Sequence, residues 1–349
     1  MSSDKTVASD GTEGHVIFGI SSSIVATLIL ISPILYTLVA YPETFILSWN
    51  EGRGGFLFAM AFIAAELVGL KYSLTSKRLL VVAGMAALTI SYFIVLPYGV
   101  GDYIRNGKDA YNVSLVDSWM WMWDFIVMAI FVVTSTALLF GKKWYKIASA
   151  GAIYLAGSAL ILALDAFFPF DSLGPLQIIV PVYLQIDQTV INFIDTYVIN
   201  VGPQTLNNSA EPAIARGNLL VLNGLHGPFA LQVFWPSAGV HSMIIYTLVM
   251  LALLIKMDIP LSRKMIYFVA GTFGTVATNL VRIVSLSLYA LVVTTDVQDW
   301  EAFHSIAGEI MFLPWLGIYL GVVIYIENKR IRRLQAKAGR PGASNQPTR

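Results

Sequence analysis

The sequence predicts an all-α polytopic membrane bundle of about eight helices, and three observations carry that prediction. Hydrophobic residues fill 56% of the 349 positions and charged residues only 12%, about half the charge of an ordinary soluble domain. Mean hydropathy is +0.70. Apolar runs of bilayer-spanning length recur along the chain, and basic residues gather in every second connection between them.

In order, the runs fall at about 16–40, 55–71, 79–98, 119–140, 145–167, 239–256, 265–293 and 306–326. Residues 1–14, MSSDKTVASDGTEG, lack the charged start and small-residue cleavage site of a signal peptide, so the first run is expected to be a retained helix. The basic clusters are Lys71, Lys77 and Arg78; Lys142, Lys143 and Lys146; Lys256, Arg263 and Lys264; and the tail from Lys329 to Arg349. The positive-inside rule makes these cytoplasmic and places both termini inside a cell (plasma) membrane. Connections 41–54, 99–118, 168–238 and 294–305 then face outside, where two sequons, at Asn112 and Asn207, also fall.

The expected organisation is a polar cytoplasmic N-terminus (1–15), a five-helix membrane part (16–167), an extracytoplasmic segment (168–238), a three-helix membrane part (239–327) and a basic, disordered cytoplasmic tail (328–349). Within the extracytoplasmic segment, Ile186, Val190, Ile191, Phe193 and Ile194 recur at helical spacing, as in an amphipathic helix on the membrane surface. After it, GNLLVLNGLHGPFALQVFWPSAG, punctuated by Gly217, Gly224 and Gly227, reads as a small hairpin leading into the sixth helix. No internal repeat is apparent, which argues against an inverted-repeat transporter.

Composition also excludes chemistries. The chain has no cysteine, so disulfides and thiolate catalysis are excluded. A net charge of +1 gives no argument for nucleic acid. Four histidines without clustered carboxylates make a poor metal-ligand set, and neither metal nor cofactor is expected.

Three polar positions stand out near the same end of different helices. Arg282, in NLVRIVSLSLYALVV, puts a guanidinium on an apolar helix with about ten apolar residues still to follow, where it is expensive and functional by default. Snorkelling to the headgroups is the bland alternative. Ser237 stands in Pro236-Ser237-Ala238-Gly239, at the entrance to the sixth helix. Alone it reads as an N-cap; beside a base it is a nucleophile whose oxyanion meets helix N–H groups. His304 precedes the eighth helix and alone reads as structural. Asn279 shares a face with Arg282. His241, one turn after Ser237, and Glu309, inside the last span, complete the supporting set, with Glu309 as a partner for Arg282 or a lining residue for a basic substrate. Glu66 and Asp165 read as packing or interface groups. The loop charges put Ser237, Arg282 and His304 at one outer level, and that coincidence outweighs the separate structural readings.

The succession PSAGVHSM, NLVR and FHSIAGEIMF resembles the exosortase and archaeosortase family of membrane transpeptidases. That family carries a nucleophile followed by a small residue and glycine, then Asn-x-x-Arg, then a His or Arg shortly before a glycine. The resemblance covers about 145–327 and maps these onto Ser237 with Ala238 and Gly239, Asn279 and Arg282, and His304 with Gly308. It implies an acyl-enzyme mechanism with catalytic Ser237, Arg282 and His304, acting on secreted or surface proteins that end in a short motif, a hydrophobic helix and a basic cluster. It also implies transfer to an acceptor such as a lipid. The family nucleophile is ordinarily cysteine. Serine there fits a natural serine form, a Cys→Ser substitution, or a relative that binds the signal without cleaving it, and a chain without cysteine favours the first. Two other classes compete. A rhomboid-type intramembrane protease carries Gly-x-Ser-Gly, whereas Trp235 and Pro236 precede Ser237 here. A transporter would use Glu66, Asp165, Arg282 and Glu309 as a path through the membrane.

Overall fold

The computed structural model describes residues 16–17, 20–45, 52–68, 70, 72, 74–170, 172, 174–199 and 212–338. The N-terminal segment 1–15, the sequon at Asn207 and residues 339–349 lie outside them. The chain forms two compact units, Met1–Leu173 with Leu251–Asp258, and Gly174–Met250 with Ile259–Arg349.

The first unit opens with a two-residue pairing, β1 (Val16–Ile17) with β2 (Ile20–Ser21), and continues as helices: α1 (Ser22–Ala40), α2 (Gly55–Leu67), α3 (Ser76–Val95), α4 (Val100–Ala110), α5 (Val116–Phe140), the single turn α6 (Trp144–Ile147) and α7 (Ala150–Phe167). Four of its helices (α1; α3 and α5, each with its adjoining turn; and α7) are long and apolar enough to cross a membrane. The second apolar run is not. Val68 takes an extended conformation and ends α2 after 13 residues, so that helix is roughly 20 Å long against ~30 Å of hydrocarbon. Small residues on α7 permit close approach, as where Gly151 meets the Ile63 side chain.

Arg53, from the connection before α2, points inward to Asp124 of α5 at 2.7 Å, with both side chains 3% exposed. Tyr92 donates to the other carboxylate oxygen at 2.9 Å, and the guanidinium lies over the rings of Tyr41 and Trp121. Orphaning either member of such a pair costs about 3–5 kcal/mol. Nothing in the sequence marks this pair, because Arg53 stands in a connection and Asp124 is a lone acid among tryptophans. Glu66 and Asp165, by contrast, are packing groups as expected. Glu66 accepts the Ala150 N–H at 2.8 Å and pairs with Lys256, and Asp165 accepts from Ser118 at 2.6 Å.

The second unit contains α8 (Gly174–Gln177), α9 (Ile179–Ile194), the strands β3 (Ala213–Arg216), β4 (Leu219–Gly224) and β5 (Gly227–Gln232), the first part of α10 (His241–Lys256), then α11 (Leu261–Val292) and α12 (Val297–Ala338). The expected hairpin is β4–β5, with Gly224 opposite Gly227, and β3 adds a third antiparallel strand. A small sheet therefore joins an otherwise helical fold. Its edge is covered by α9, whose Asn192 exchanges two hydrogen bonds with Ala213 while Gln188 accepts from Ala215 at 2.9 Å.

Helix α9 lies along α11 rather than apart from the helices. Its inner face, Val180, Tyr183, Leu184 and Ile191, shares one apolar core with Leu220 and Leu222 of the sheet and with Ile283, Ala290 and Leu291 of α11. The hairpin turn docks there too, with the Leu225 N–H on the Leu291 carbonyl at 2.8 Å. The segment 168–238 thus includes a platform built onto a long apolar helix.

Helices α11 and α12 pack along each other as an antiparallel pair. Tyr289 stacks on Phe303, Trp300 donates to the Leu286 carbonyl, Trp315 donates to Thr275, and Arg263 pairs with Glu327. Gly274 allows the closest approach, because a Cβ there would lie 1.9 Å from the Trp315 ring. Helix α12 carries on through the basic stretch to Ala338, with Arg330 capturing Glu327 one turn away at 3.1 Å. The start of the expected disordered tail is therefore helical. Together α10, α11 and α12 bring the helices of spanning length and composition to seven among the described residues. Their outward side chains, such as Phe273, Val281 and Ile318, are apolar and exposed, as in proteins whose solvent is lipid. The protein is a multi-pass membrane protein.

Candidate active site

The site is assembled at the junction of β5 and α10. As the chain leaves β5, Gln177 of α8 holds it on both sides: its amide donates to the Val233 carbonyl at 3.2 Å and accepts the Trp235 N–H at 2.8 Å. Trp235 is fully buried, which fixes where the next turn starts. That turn, Pro236–Val240, is a wide helical turn broken at Gly239, whose φ is 90° and ψ 11°. Ser237 lies inside the turn, not at the capping position, which Trp235 occupies. The N-cap reading of Ser237 is thereby overturned.

Gly239 is required twice over. Its φ lies in the left-handed region, where a side chain is costly, and a Cβ would stand 2.2 Å from the Asn279 side chain. Asn279, 1% exposed on α11, uses that closeness to donate to the Gly239 carbonyl at 3.0 Å. Three residues on, Arg282 donates through one terminal nitrogen to the Ser237 carbonyl. The Asn-x-x-Arg spacing puts both donors on one helix face, and both grip the turn that carries the serine.

Arg282 is 91% buried, as its 9% exposure records, and does not snorkel. Its other terminal nitrogen faces α12 at Gly308, where a Cβ would meet it at 3.4 Å. Its Nε has no hydrogen-bond partner among the described residues. One turn before Gly308, His304 lies on the same side of α12 and within electrostatic reach of Arg282. The indole of Trp300 stacks on His304 at 5.1 Å and 11°, which fixes the plane of the imidazole. His241, the first residue of α10, meets Trp235 edge-on at 5.3 Å and also feels the Arg282 charge. The side chain of Glu309 lies outside the described residues, so its pairing with Arg282 does too.

The structure therefore brings Ser237, Gly239, Asn279, Arg282 and Gly308 into one cluster, buried at Gly239, Asn279 and Arg282 and half-buried at Ser237 and Gly308, with His304 one helical turn from Gly308. Chemically this is a serine on a backbone held by two buried side-chain donors, beside a guanidinium with unused hydrogen-bonding capacity and an oriented imidazole. Among the described residues no group of three His, Cys, Asp or Glu is placed to hold a metal ion.

Two residues of α9 escaped the sequence reading. Tyr183 is 6% exposed in the same core as Ala238 and Ile283, the chain neighbours of Ser237 and Arg282. Asp187, one turn later, is fully buried and accepts from Ser287 at 2.7 Å. Its second oxygen has no partner among the described residues. Burial pushes the Asp187 carboxyl up to about 6, with the Ser287 hydrogen bond opposing. An unfolded aspartate titrates near ~3.9, so the folded state holds the extra proton between those two values. Stability is then greatest below about pH 4 and falls as the pH rises through about 6, by on the order of 3 kcal/mol in all. The Asp187→Asn variant is expected to lose that part of the slope, as read from thermal unfolding in detergent between pH 4.5 and 7.5. An identical slope in both proteins would show that Asp187 does not titrate this way.

No protein-family model matches the chain, and no curated protein or solved structure matches it either.

Proposed function

We propose that this protein is a sortase-like membrane transpeptidase of the exosortase and archaeosortase type, with serine in place of the usual cysteine. The observation that carries the reading is the hydrogen bond from Arg282 to the carbonyl of Ser237. Through it, motifs from two separate stretches of sequence meet at one point. Asn279 on Gly239 and Gly308 beside Arg282 add the remaining motif positions.

In this mechanism Ser237 Oγ attacks the scissile carbonyl of a C-terminal sorting tail while His304 takes its proton. Arg282 stabilises the oxyanion of the tetrahedral intermediate with the hydrogen-bonding capacity left free beside the turn. Collapse breaks the C–N bond, His304 returns the proton to the leaving amine, and an ester joins the substrate to Ser237. An amine or hydroxyl acceptor, such as a lipid, then takes the acyl group and regenerates the serine. The loop charges support a site on the outer face of a cell membrane with both termini inside. The tail's hydrophobic helix would enter from the bilayer. A transporter built on Glu66, Asp165, Arg282 and Glu309 is the weaker reading, because Glu66 and Asp165 are already satisfied by neighbours.

The test is co-expression with a reporter protein ending in a cognate motif, one hydrophobic span and a basic cluster. Cleavage is expected in the wild type and at least about 10³-fold less with Ser237→Ala. Equal cleavage by the alanine variant would remove Ser237 from the mechanism. Cleavage by Ser237→Cys alone would mark the serine as a substituted nucleophile.

A further inference from the structure

We propose that Tyr183 is a further catalytic residue of this site, its hydroxyl acting with Arg282 as a second donor to the developing oxyanion; the inference rests on the transpeptidase reading. Helix α9 reaches the site from a side that none of the three motifs occupies. It packs against both the Pro236–Val240 turn and α11, and of its inner-face residues Val180, Tyr183, Leu184 and Ile191, which share a core with Ala238 and Ile283, Tyr183 alone carries a polar group. Ala238 and Ile283 are the chain neighbours of Ser237 and Arg282, so the buried Tyr183 ring belongs to the core that α9 forms with the elements carrying the nucleophile and the guanidinium.

The chemistry of the position agrees. A tyrosine at 6% exposure amid leucine, isoleucine and valine is an expensive choice where phenylalanine would pack as well, unless the hydroxyl has a task. Burial pushes that hydroxyl up, and the Arg282 guanidinium pulls it back down, so the two groups lie within electrostatic reach of each other. Arg282 has already committed one terminal nitrogen to the Ser237 carbonyl. A single guanidinium holding the turn is a sparse anion pocket, whereas acyl-transfer sites commonly present two or more donors to the oxyanion. A neutral phenol beside a cation supplies the second donor without adding charge.

The test uses the full-length protein and the isosteric Tyr183→Phe variant, which removes only the hydroxyl. Two reactions are followed: cleavage of the reporter tail, and labelling of Ser237 by an alkyl fluorophosphonate. In the second, Ser237 Oγ bonds to phosphorus, fluoride leaves, and the serine proton passes to His304. The expected result is a fall of about 10- to 100-fold in kcat for cleavage, with KM within twofold and a parallel slowing of labelling. Thermal stability should stay unchanged. Combined with Arg282→Lys, the Tyr183→Phe effect should be less than multiplicative, as for two donors to one charge. Unchanged kcat and labelling in a protein whose wild type is active would overturn the role of Tyr183 alone. A change confined to KM or to thermal stability would assign it to packing and overturn the role equally. A wild type that neither cleaves nor is labelled at Ser237 would instead sink the transpeptidase reading, and this inference with it.

Discussion

Replacing Arg282 with lysine should lower tail cleavage by about two to three orders of magnitude while leaving the helices in place. The reason is geometric. Arg282 reaches the Ser237 carbonyl with one terminal nitrogen while the other stands at Gly308 and Nε is unused. A planar fork can hold the turn and still present a donor to a new charge, whereas an ammonium is a point charge on a flexible stem. Lysine at this position holds either the turn or the oxyanion. Arg282→Ala should be worse, since it also strips the Ser237 carbonyl of its partner in a buried site. The measurement is steady-state cleavage of the reporter by purified variants, with circular dichroism to confirm the helices. Wild-type kcat in Arg282→Lys would show that charge alone suffices there, and wild-type kcat in Arg282→Ala would place the arginine outside the chemistry.

Gly239→Ala should abolish activity and destabilise the second unit by about 3 kcal/mol, from left-handed strain and a lost buried hydrogen bond. A methyl group at position 239 would stand 2.2 Å from Asn279, the residue that fixes this turn to α11. Either the side chain of Asn279 moves away and the Gly239 carbonyl loses its donor, or the turn moves and takes Ser237 with it. Conversely, Asn279→Ala keeps the glycine conformation and removes only the donor, so it should retain more activity and more stability than Gly239→Ala. Thermal unfolding and cleavage of the two variants side by side decide the matter. Equal behaviour would mean that the left-handed conformation contributes nothing beyond the hydrogen bond.

Much of this site was legible in the sequence because its chemistry is expensive in lipid. A guanidinium at position 282 stands out against NLVRIVSLSLYALVV, and the loop charges give the expectation that it shares one level with Ser237 and His304. The reason for Gly239 was legible only as a motif letter; the positive φ and the approach of Asn279 supply the physics. Tyr183 and Asp187 were invisible because α9 carries apolar residues on two faces. Ile179, Val182, Ile186 and Phe193 are exposed, while Val180, Leu184 and Ile191 are buried. Periodicity therefore marks a helix without saying which face meets α11. The Arg53–Asp124 pair was missed for a related reason: a charge in a connection looks solvated until the fold turns it inward. The length of α2 failed on hydropathy alone, because an apolar composition does not stop Val68 from leaving the helix.

The central claim is that Ser237 forms a covalent bond to the substrate, and intact-mass analysis of the purified protein mixed with a cognate tail peptide tests it most directly. The account predicts a transient mass increase equal to the acyl fragment. The adduct should map to Ser237, be released by hydroxylamine as an ester is, and be absent from Ser237→Ala. Cleavage that proceeds with no adduct in the wild type, or an adduct that persists in the alanine variant, would contradict it.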